Sequence, residues 1–193
     1  MYYTTERGKF GAGIGRTQIV QYHPAIDMYM ENGNTEVNIY AAHDGYVRIY
    51  RNAPKYRHFI SITKDISDDS GKLLGKVVTI YGHVDLDLDS SQNIIIKNKQ
   101  VHKGDLISKN LYHDTRGGPH LHFEVRYYRP SDNGDEEFYR FEDVEGKNIF
   151  TEPSAGQWEY GFWDPDTGYG YANPDNHFDH SLVGLPAERS WRR

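Results

Sequence analysis

The sequence contains no cysteine, which excludes disulfide bonds and every metal site built from thiolates. It also lacks any apolar run near the ~20 residues that a helix needs to span a bilayer. Lysine and arginine number 22 against 28 aspartates and glutamates, a net charge of -6, and no basic cluster offsets this deficit. We therefore expect no membrane span and no nucleic-acid partner, because non-specific nucleic-acid binding depends on basic side chains. Nothing in the composition predicts an oligomeric state.

The opening residues, Met1 to Arg7, have neither the basic nor the apolar region of a signal peptide. We expect the protein to act where it is made, or the sequence to be a mature form without its leader.

Aromatic residues are abundant and include 16 tyrosines, a composition that favours β-structure and binding surfaces over a helical bundle. Strand-like runs rich in β-branched and aromatic residues occur at 45–51, 58–63, 76–84 and 120–128, with weaker candidates at 93–99 and 101–108. The turn signal "SDDSGK" predicts that the strands on either side of it form a hairpin. The sequence therefore predicts a mainly β fold, an antiparallel β-sheet domain with long loops and few helices.

A change in composition predicts a boundary near residue 130. We expect residues 1–129 to form the β-domain and residues 130–193 to form an acidic and aromatic C-terminal extension packed on it. The extension could be a non-catalytic wrap or a flap that contacts substrate, and its aromatic residues alone would also fit a sugar-binding module.

The segment "GGPHLHFEVR" places two histidines at the start of the last strong strand. Because side chains alternate along a strand, the polar residues His120, His122, Glu124 and Arg126 share one face, while Leu121, Phe123 and Val125 point into the core. This face is either part of a site or an ordinary solvent-facing surface. Glu124 could orient a metal-binding side chain without touching the metal itself, and a Glu124 exposed to solvent on the surface is an equal alternative.

Two further segments carry residues suited to zinc chemistry. His23 and Asp27 lie four residues apart in "YHPAIDMYM", and imidazole and carboxylate are both zinc ligands. His83 lies just past a strand end in "TIYGHVD", in a turn-like position.

Taken in order, these segments resemble the lysostaphin-type zinc endopeptidases, peptidase family M23, over roughly residues 10 to 127. The family's H-x-x-x-D matches His23 to Asp27, its "A-x-x-dG-x-V" strand matches "AAHDGYVRIY", and its "Y-x-H-L" matches "YGHV". Its "V-x-x-G-x-x-I" matches "VHKGDLIS", and its closing "TGPHLHFE" matches "GGPHLHFE" almost letter for letter.

The resemblance implies a role for each matched residue. His23, Asp27 and His122 would bind Zn²⁺, and three protein ligands would leave a fourth position for water. His83 and His120 would flank that water as catalytic residues, one as general base and the other as hydrogen-bond donor or orienting group, in either order.

The function that the resemblance implies is zinc-dependent hydrolysis of peptide cross-links or stem peptides of bacterial peptidoglycan, with zinc-activated water as the nucleophile. This implies a peptidoglycan peptide as partner and a location in the cell envelope, periplasmic or secreted, or delivery by a phage or another route. The alternative is a catalytically silent domain that binds peptidoglycan or regulates another protein.

The sequence departs from the family pattern in two places. Thr115-Arg116-Gly117 replaces the usual residues before the last Gly-Pro-His, and the segment from Arg51 to Gly75 is longer than the compact pattern. Loops of this kind usually form the walls of the substrate groove, so we expect the groove here to differ from that of the family. The remaining histidines are expected to be surface or structural residues: His43, His58, His102, His113, His177 and His180.

Overall fold

A computed structural model describes most of the first two thirds of the chain and short pieces of the rest. The described residues are 2–3, 13–14, 21–22, 25–30, 33–53, 56–92, 94, 99–128, 163–164, 169–172, 174, 178–179 and 187–188.

Within these residues the chain forms fifteen strands and one helix. The strands are β1 (Tyr2–Tyr3), β2 (Gly13–Ile14), β3 (Gln21–Tyr22), β4 (Ala25–Met30), β5 (Glu36–Tyr40), β6 (Gly45–Ala53), β7 (Arg57–Ser67), β8 (Leu73–Gly82), β9 (Lys99–Val101), β10 (Leu106–Asn110), β11 (His120–Tyr128), β12 (Trp163–Asp164), β13 (Tyr169–Ala172), β14 (Phe178–Asp179) and β15 (Ala187–Glu188). The helix α1 is Leu86–Ser91.

One antiparallel sheet of nine strands dominates the fold, in the order β1-β4-β11-β8-β7-β6-β9 with β12 and β13 attached beside β11. Strand β11 lies inside this sheet. Along one edge it pairs with β8, and along the other it pairs with β4 over its first five residues and with β13 over Val125–Tyr127. Strands β5 and β10 form a second sheet of two strands.

The main core lies on one face of the large sheet. Ile26 of β4, Ile60 of β7, and Leu121 and Phe123 of β11 join one buried cluster with Ile107 of the small sheet. Burying such side chains contributes about 1.5–3 kcal/mol each, so this face holds the two sheets together. The predicted inward orientation of Leu121, Phe123 and Val125 is confirmed, since all three are buried in this cluster.

The opposite face of the large sheet carries a smaller apolar cluster of Tyr56, Phe59, Val78, Ile80 and Tyr128. These side chains come from β7, β8, β11 and the turn before β7. Strand β11 is therefore buried on both faces, and its alternating polar residues are not exposed to solvent.

The predicted fold class is confirmed: the structure is mainly antiparallel β-sheet, with α1 as the one α-helix of the described residues. The strands predicted at 45–51, 58–63, 76–84 and 120–128 are present as β6, β7, β8 and β11. The predicted hairpin is confirmed, since β7 and β8 pair antiparallel on either side of the turn.

One strand prediction is wrong. Residues 101–108 do not form a single strand, because a turn closed by the Asp105 amide and the His102 carbonyl oxygen (2.9 Å) separates β9 from β10. Gly104 has φ = 87° in this turn, a left-handed conformation that glycine adopts without strain. Most of the strand predicted at 93–99 lies outside the described residues.

Part of the C-terminal region joins the large sheet, since Gly170, Tyr171 and Ala172 pair with β11. The boundary predicted near residue 130 stays a prediction, because residues 129–162 lie outside the described part. No helix in the described ranges has the length and apolar character that a membrane crossing requires.

Candidate active site

The candidate site lies at one end of three neighbouring strands, β4, β11 and β8. The register of the sheet places Asp27 of β4 directly opposite His122 of β11, and Gly82 of β8 opposite His122 on the other edge. Directly opposed residues of an antiparallel pair project from the same face. His83 follows Gly82, so three separate segments deliver their side chains to one place.

Asp27 and His122 are in direct contact. The Nδ1 atom of His122 lies 3.0 Å from Oδ1 of Asp27, and both residues are less than 10% exposed. His120, two residues earlier on the same face, has its Nε2 atom 3.7 Å from the same carboxylate oxygen. A single buried carboxylate thus faces both predicted imidazoles of β11.

Glu124 lies behind His122, on the side away from Asp27. Its Oε1 atom accepts a hydrogen bond from Nε2 of His122 (2.7 Å), and its side chain is fully buried. The alternative of a solvated Glu124 is therefore wrong. Arg126 is the next residue along this face, and its Nε and Nη2 atoms donate hydrogen bonds to Oε2 of Glu124 at 2.8 Å and 2.6 Å.

These contacts shift the pKa values of the buried pair in opposite directions. Burial alone lowers the pKa of His122, but hydrogen bonds to Asp27 and Glu124 outweigh it and raise the pKa to about 9. Burial alone raises the pKa of Glu124, but the Arg126 charge and the hydrogen bond from His122 lower it to about 2. The two carboxylates therefore create a negative environment at His122 that favours a cation.

His83 is held by backbone groups in a conformation unusual for a residue other than glycine. Its φ is 62°, and its amide is within hydrogen-bond reach of the carbonyl oxygens of Tyr56 (3.2 Å) and His58 (3.1 Å). Its Nδ1 atom donates to the same Tyr56 oxygen (3.1 Å), which places the proton on Nδ1 and leaves Nε2 as an acceptor. Burial, together with the nearby imidazoles of His122 and His120, lowers the pKa of His83 to about 3.

His120 has its proton placed in the same way. Its Nδ1 atom donates to the carbonyl oxygen of Gly118 (2.8 Å), so its Nε2 atom is also an acceptor. The hydroxyl of Thr115 donates to the same oxygen and lies 3.4 Å from Nδ1. Thr115 belongs to the Thr-Arg-Gly segment that departs from the family pattern, and here it helps to hold the His120 ring. Gly117 and Gly118 both have φ = 99°, a conformation that requires glycine at this turn.

The imidazoles of His83, His120 and His122 lie close together. The ring centroid of His83 is 4.7 Å from that of His120 and 5.7 Å from that of His122, edge to face in both cases. His83 and His120 thus lie beside His122, with Nδ1 of each turned to a carbonyl oxygen.

Tyr56 and Arg126 are site residues that the sequence analysis missed. Tyr56 is 2% exposed, its hydroxyl donates to Oε1 of Glu124 (2.5 Å), and its ring meets the His122 ring edge to face at 5.3 Å. The alternation that placed Glu124 on the site face also places Arg126 there, so a pair between them could have been found. No sequence pattern marks Tyr56.

Asp27 and His122 are the described residues that could hold a divalent metal. Their facing oxygen and nitrogen atoms are donor types that zinc accepts, and a carboxylate behind a ligating histidine fixes the ring and its tautomer. The third predicted ligand, His23, lies outside the described residues. Among the residues that are described, no three ligating side chains form a group able to hold a metal ion.

The other histidines of the described residues lie elsewhere in the fold. Buried His43 contacts the Asp44 carbonyl oxygen through Nδ1, and buried His58 accepts from the Asn52 amide. His102 and His113 are exposed, and His177 and His180 lie outside the described residues.

Comparison with known proteins identifies the family. A search of curated proteins found no match. Among solved structures, the chain is similar to a mutant of the catalytic domain of EnpA, a prophage-encoded M23 protein from Enterococcus faecalis. That similarity has 18% sequence identity and a TM-score of 0.42, and covers 69% of this chain and 92% of the other. The family model for peptidase family M23 matches residues 21–135, more than half of the sequence, so the chain belongs to peptidase family M23.

Proposed function

We propose that the protein is a zinc-dependent endopeptidase that hydrolyses peptide cross-links or stem peptides of bacterial peptidoglycan. The observation that carries the proposal is the buried contact between Asp27 and His122, supported by Glu124 and flanked by the imidazoles of His83 and His120. Family membership supports a peptidase, and each matched position in the described residues retains its expected side chain.

Asp27 and His122 would hold the zinc ion together with His23. A bound zinc ion would supply Lewis-acid activation of water and of the scissile carbonyl group. The hydrogen bond from Nε2 of His122 to Glu124 fixes the ring with Nδ1 facing Asp27, the other described residue that would hold the ion.

His83 and His120 would move the protons. Each has Nδ1 bound to a backbone carbonyl oxygen, so each can accept a proton at Nε2. In the proposed reaction one of them accepts a proton from water at Nε2 and passes it to the leaving amine. The other orients its neighbour, or donates a hydrogen bond to the developing oxyanion after Nε2 of its own ring has taken up a proton. His120 is buried and His83 is half-buried, and a low local dielectric strengthens these interactions.

The proposed substrate is a peptide of the cell wall, so the proposed site of action is the cell envelope, in the periplasm or outside the cell. Of the two bond types that the family resemblance implies, we favour links between D-alanine and diaminopimelate over glycine bridges. The net charge of -6 does not favour electrostatic attachment to an anionic wall.

The test combines metal analysis with mass spectrometry of the products from defined cross-linked muropeptides. We expect one zinc ion per chain, cleavage that a chelator abolishes, and loss of both metal and cleavage in His122→Ala. His102→Ala is the matched control, because its side chain is 86% exposed, and it should behave as the wild type.

His122→Ala that retains both metal and cleavage would refute the ligand assignment. A wild-type protein that binds zinc and wall fragments but releases no new amine would instead establish the silent binding domain.

A further inference from the structure

Tyr56 contacts both halves of the candidate site. Its side chain reaches Glu124 and His122, and its backbone carbonyl oxygen binds His83. We propose that Tyr56 is a positioning residue that fixes the metal-binding imidazole of His122 through Glu124 and fixes the imidazole of His83 through its own backbone. This inference rests on the proposed function, since it assigns a role at the same site.

The side-chain contribution acts through one oxygen atom. Oε1 of Glu124 accepts from the Tyr56 hydroxyl at 2.5 Å and from Nε2 of His122 at 2.7 Å. Arg126 holds the other oxygen of the same carboxylate. Tyr56 and Arg126 therefore fix the carboxylate from two sides, and the carboxylate in turn fixes the ring of His122.

The backbone contribution acts on the other predicted catalytic imidazole. The carbonyl oxygen of Tyr56 lies 3.2 Å from the amide nitrogen of His83 and 3.1 Å from its Nδ1 atom. The first contact helps hold the left-handed turn at His83, and the second selects its tautomer. A displacement of Tyr56 would thus affect two imidazoles, that of His122 on β11 and that of His83 just after β8.

The surrounding structure fixes the place of Tyr56. Arg57, next in the chain, has φ = 61°, and Asn52 has φ = 59°, conformations that cost non-glycine residues energy and that persist only where the fold enforces them. Gly82 makes room for the ring, because a Cβ atom there would lie 2.7 Å from Cδ1 of Tyr56. The fold therefore bears two costs to keep Tyr56 in place, the strained backbone at Arg57 and Asn52 and the requirement for glycine at position 82. A side chain that only filled space would not require them.

Tyr56 also belongs to the smaller apolar cluster, so a purely structural role must be distinguished from positioning. Tyr81 provides the matched control. It is 1% exposed, and its hydroxyl accepts from the Ala42 amide at 2.7 Å on the core face of the sheet. Tyr81→Phe removes the same atom and the buried hydrogen bonds that it accepts from the Ala42 amide and the Thr79 hydroxyl, without contacting Glu124 or His122.

The experiment compares Tyr56→Phe with Tyr81→Phe in the full chain. Zinc affinity is measured by competition with a chromophoric chelator, and the visible spectrum of the Co²⁺-substituted protein reports the ligand geometry. We expect Tyr56→Phe to bind zinc about 10-fold more weakly and to alter the cobalt spectrum, because loss of a group supporting a metal ligand costs about 10–100-fold. Tyr81→Phe should match the wild type in both measurements. Circular dichroism spectra without added metal test whether both variants fold.

The other outcomes overturn either the role of Tyr56 alone or the proposed function as well. Equal zinc affinity and equal cobalt spectra in the two variants would overturn the role of Tyr56 and leave the proposed function intact. An equal loss of affinity in both variants would also overturn it, because the loss would then follow stability and not position. A wild-type chain that binds neither metal would overturn the proposed function and this inference together. If Tyr56→Phe does not fold, Gly82→Ala replaces it, with the same two readouts. The added Cβ would lie 2.7 Å from Cδ1 of Tyr56, so the ring must move, whereas Cβ of His122 would lie 3.3 Å away and needs to shift by only a few tenths of an ångström.

Discussion

Replacing Glu124 with glutamine should destabilise the protein strongly, even when no metal is involved. The carboxylate is fully buried, accepts two hydrogen bonds from Arg126, and also accepts from His122 and Tyr56. Glu124→Gln removes the charge that compensates the buried Arg126 guanidinium, and it introduces an amide where two oxygen acceptors are needed. Breaking a buried ion pair by removing one partner costs about 3–5 kcal/mol.

The measurement is urea or thermal unfolding followed by far-ultraviolet circular dichroism, with a chelator present in every sample. For a chain of this size, a loss of about 3–5 kcal/mol corresponds to a fall of about 6–20 °C in Tm. Asp65→Asn is the control for loss of a carboxylate, because Asp65 is exposed on β7 and its substitution should stay within about 0.5 kcal/mol.

A second variant tests the reason for the loss. Adding Arg126→Met to Glu124→Gln removes both charges, and replacing a whole buried pair by side chains of similar volume is often neutral or stabilising. The double variant should therefore recover part of the stability that Glu124→Gln loses. Our reasoning fails if Glu124→Gln is as stable as the wild type, or if the double variant is less stable than the single one.

Two more predictions concern residues on either side of the site strand. Gly82→Ala should lower the free energy of unfolding by about 1–3 kcal/mol, since its Cβ would meet Tyr56 at 2.7 Å, and denaturation that leaves stability unchanged would contradict this packing. Tyr81→Phe should be about 1–3 kcal/mol less stable than the wild type near neutral pH, because the Ala42 amide loses its acceptor. This difference in the free energy of unfolding should become smaller in alkali. Burial raises the pKa of Tyr81 from 10.0 to about 12, so the wild type, but not the variant, loses about 3 kcal/mol of stability as pH rises through that range. Urea titrations of both proteins between pH 8 and pH 12 check this, and a constant gap would be inconsistent with a neutral, buried hydroxyl.

The shared face of His120, His122 and Glu124 could be predicted from the sequence because alternation along a strand is a local property. Their approach to Asp27 is not local, since it depends on the register between β4 and β11, and the family motif was the only indication of it. The wrong strand at 101–108 has a different cause. There the apolar residues on either side suggest one strand, while Lys103-Gly104-Asp105 between them forms the turn.

The position of Tyr56 could not be predicted for a physical reason. Left-handed conformations lie before and after it, at Asn52 and Arg57, and no sequence pattern assigns such a conformation to an arginine. The helix α1 escaped prediction because six residues are too few to show a helical period, although Asp85 accepts a hydrogen bond from the Leu88 amide as an N-cap.

The buried ionisable residues on the polar face of β11 fit a role in binding a cation better than a role in stabilising the fold. Asp27, His122, Glu124 and Arg126 form a continuous buried chain of ionisable groups with alternating acidic and basic character. Taking such groups out of water costs several kcal/mol per ion, and well-packed apolar residues would hold the same two sheet faces at least as firmly. Next to this chain, His83 keeps a left-handed backbone that also costs energy. A fold that tolerates both costs at one place gains an oriented imidazole and a facing carboxylate, which are useful for binding a cation and of little use for packing.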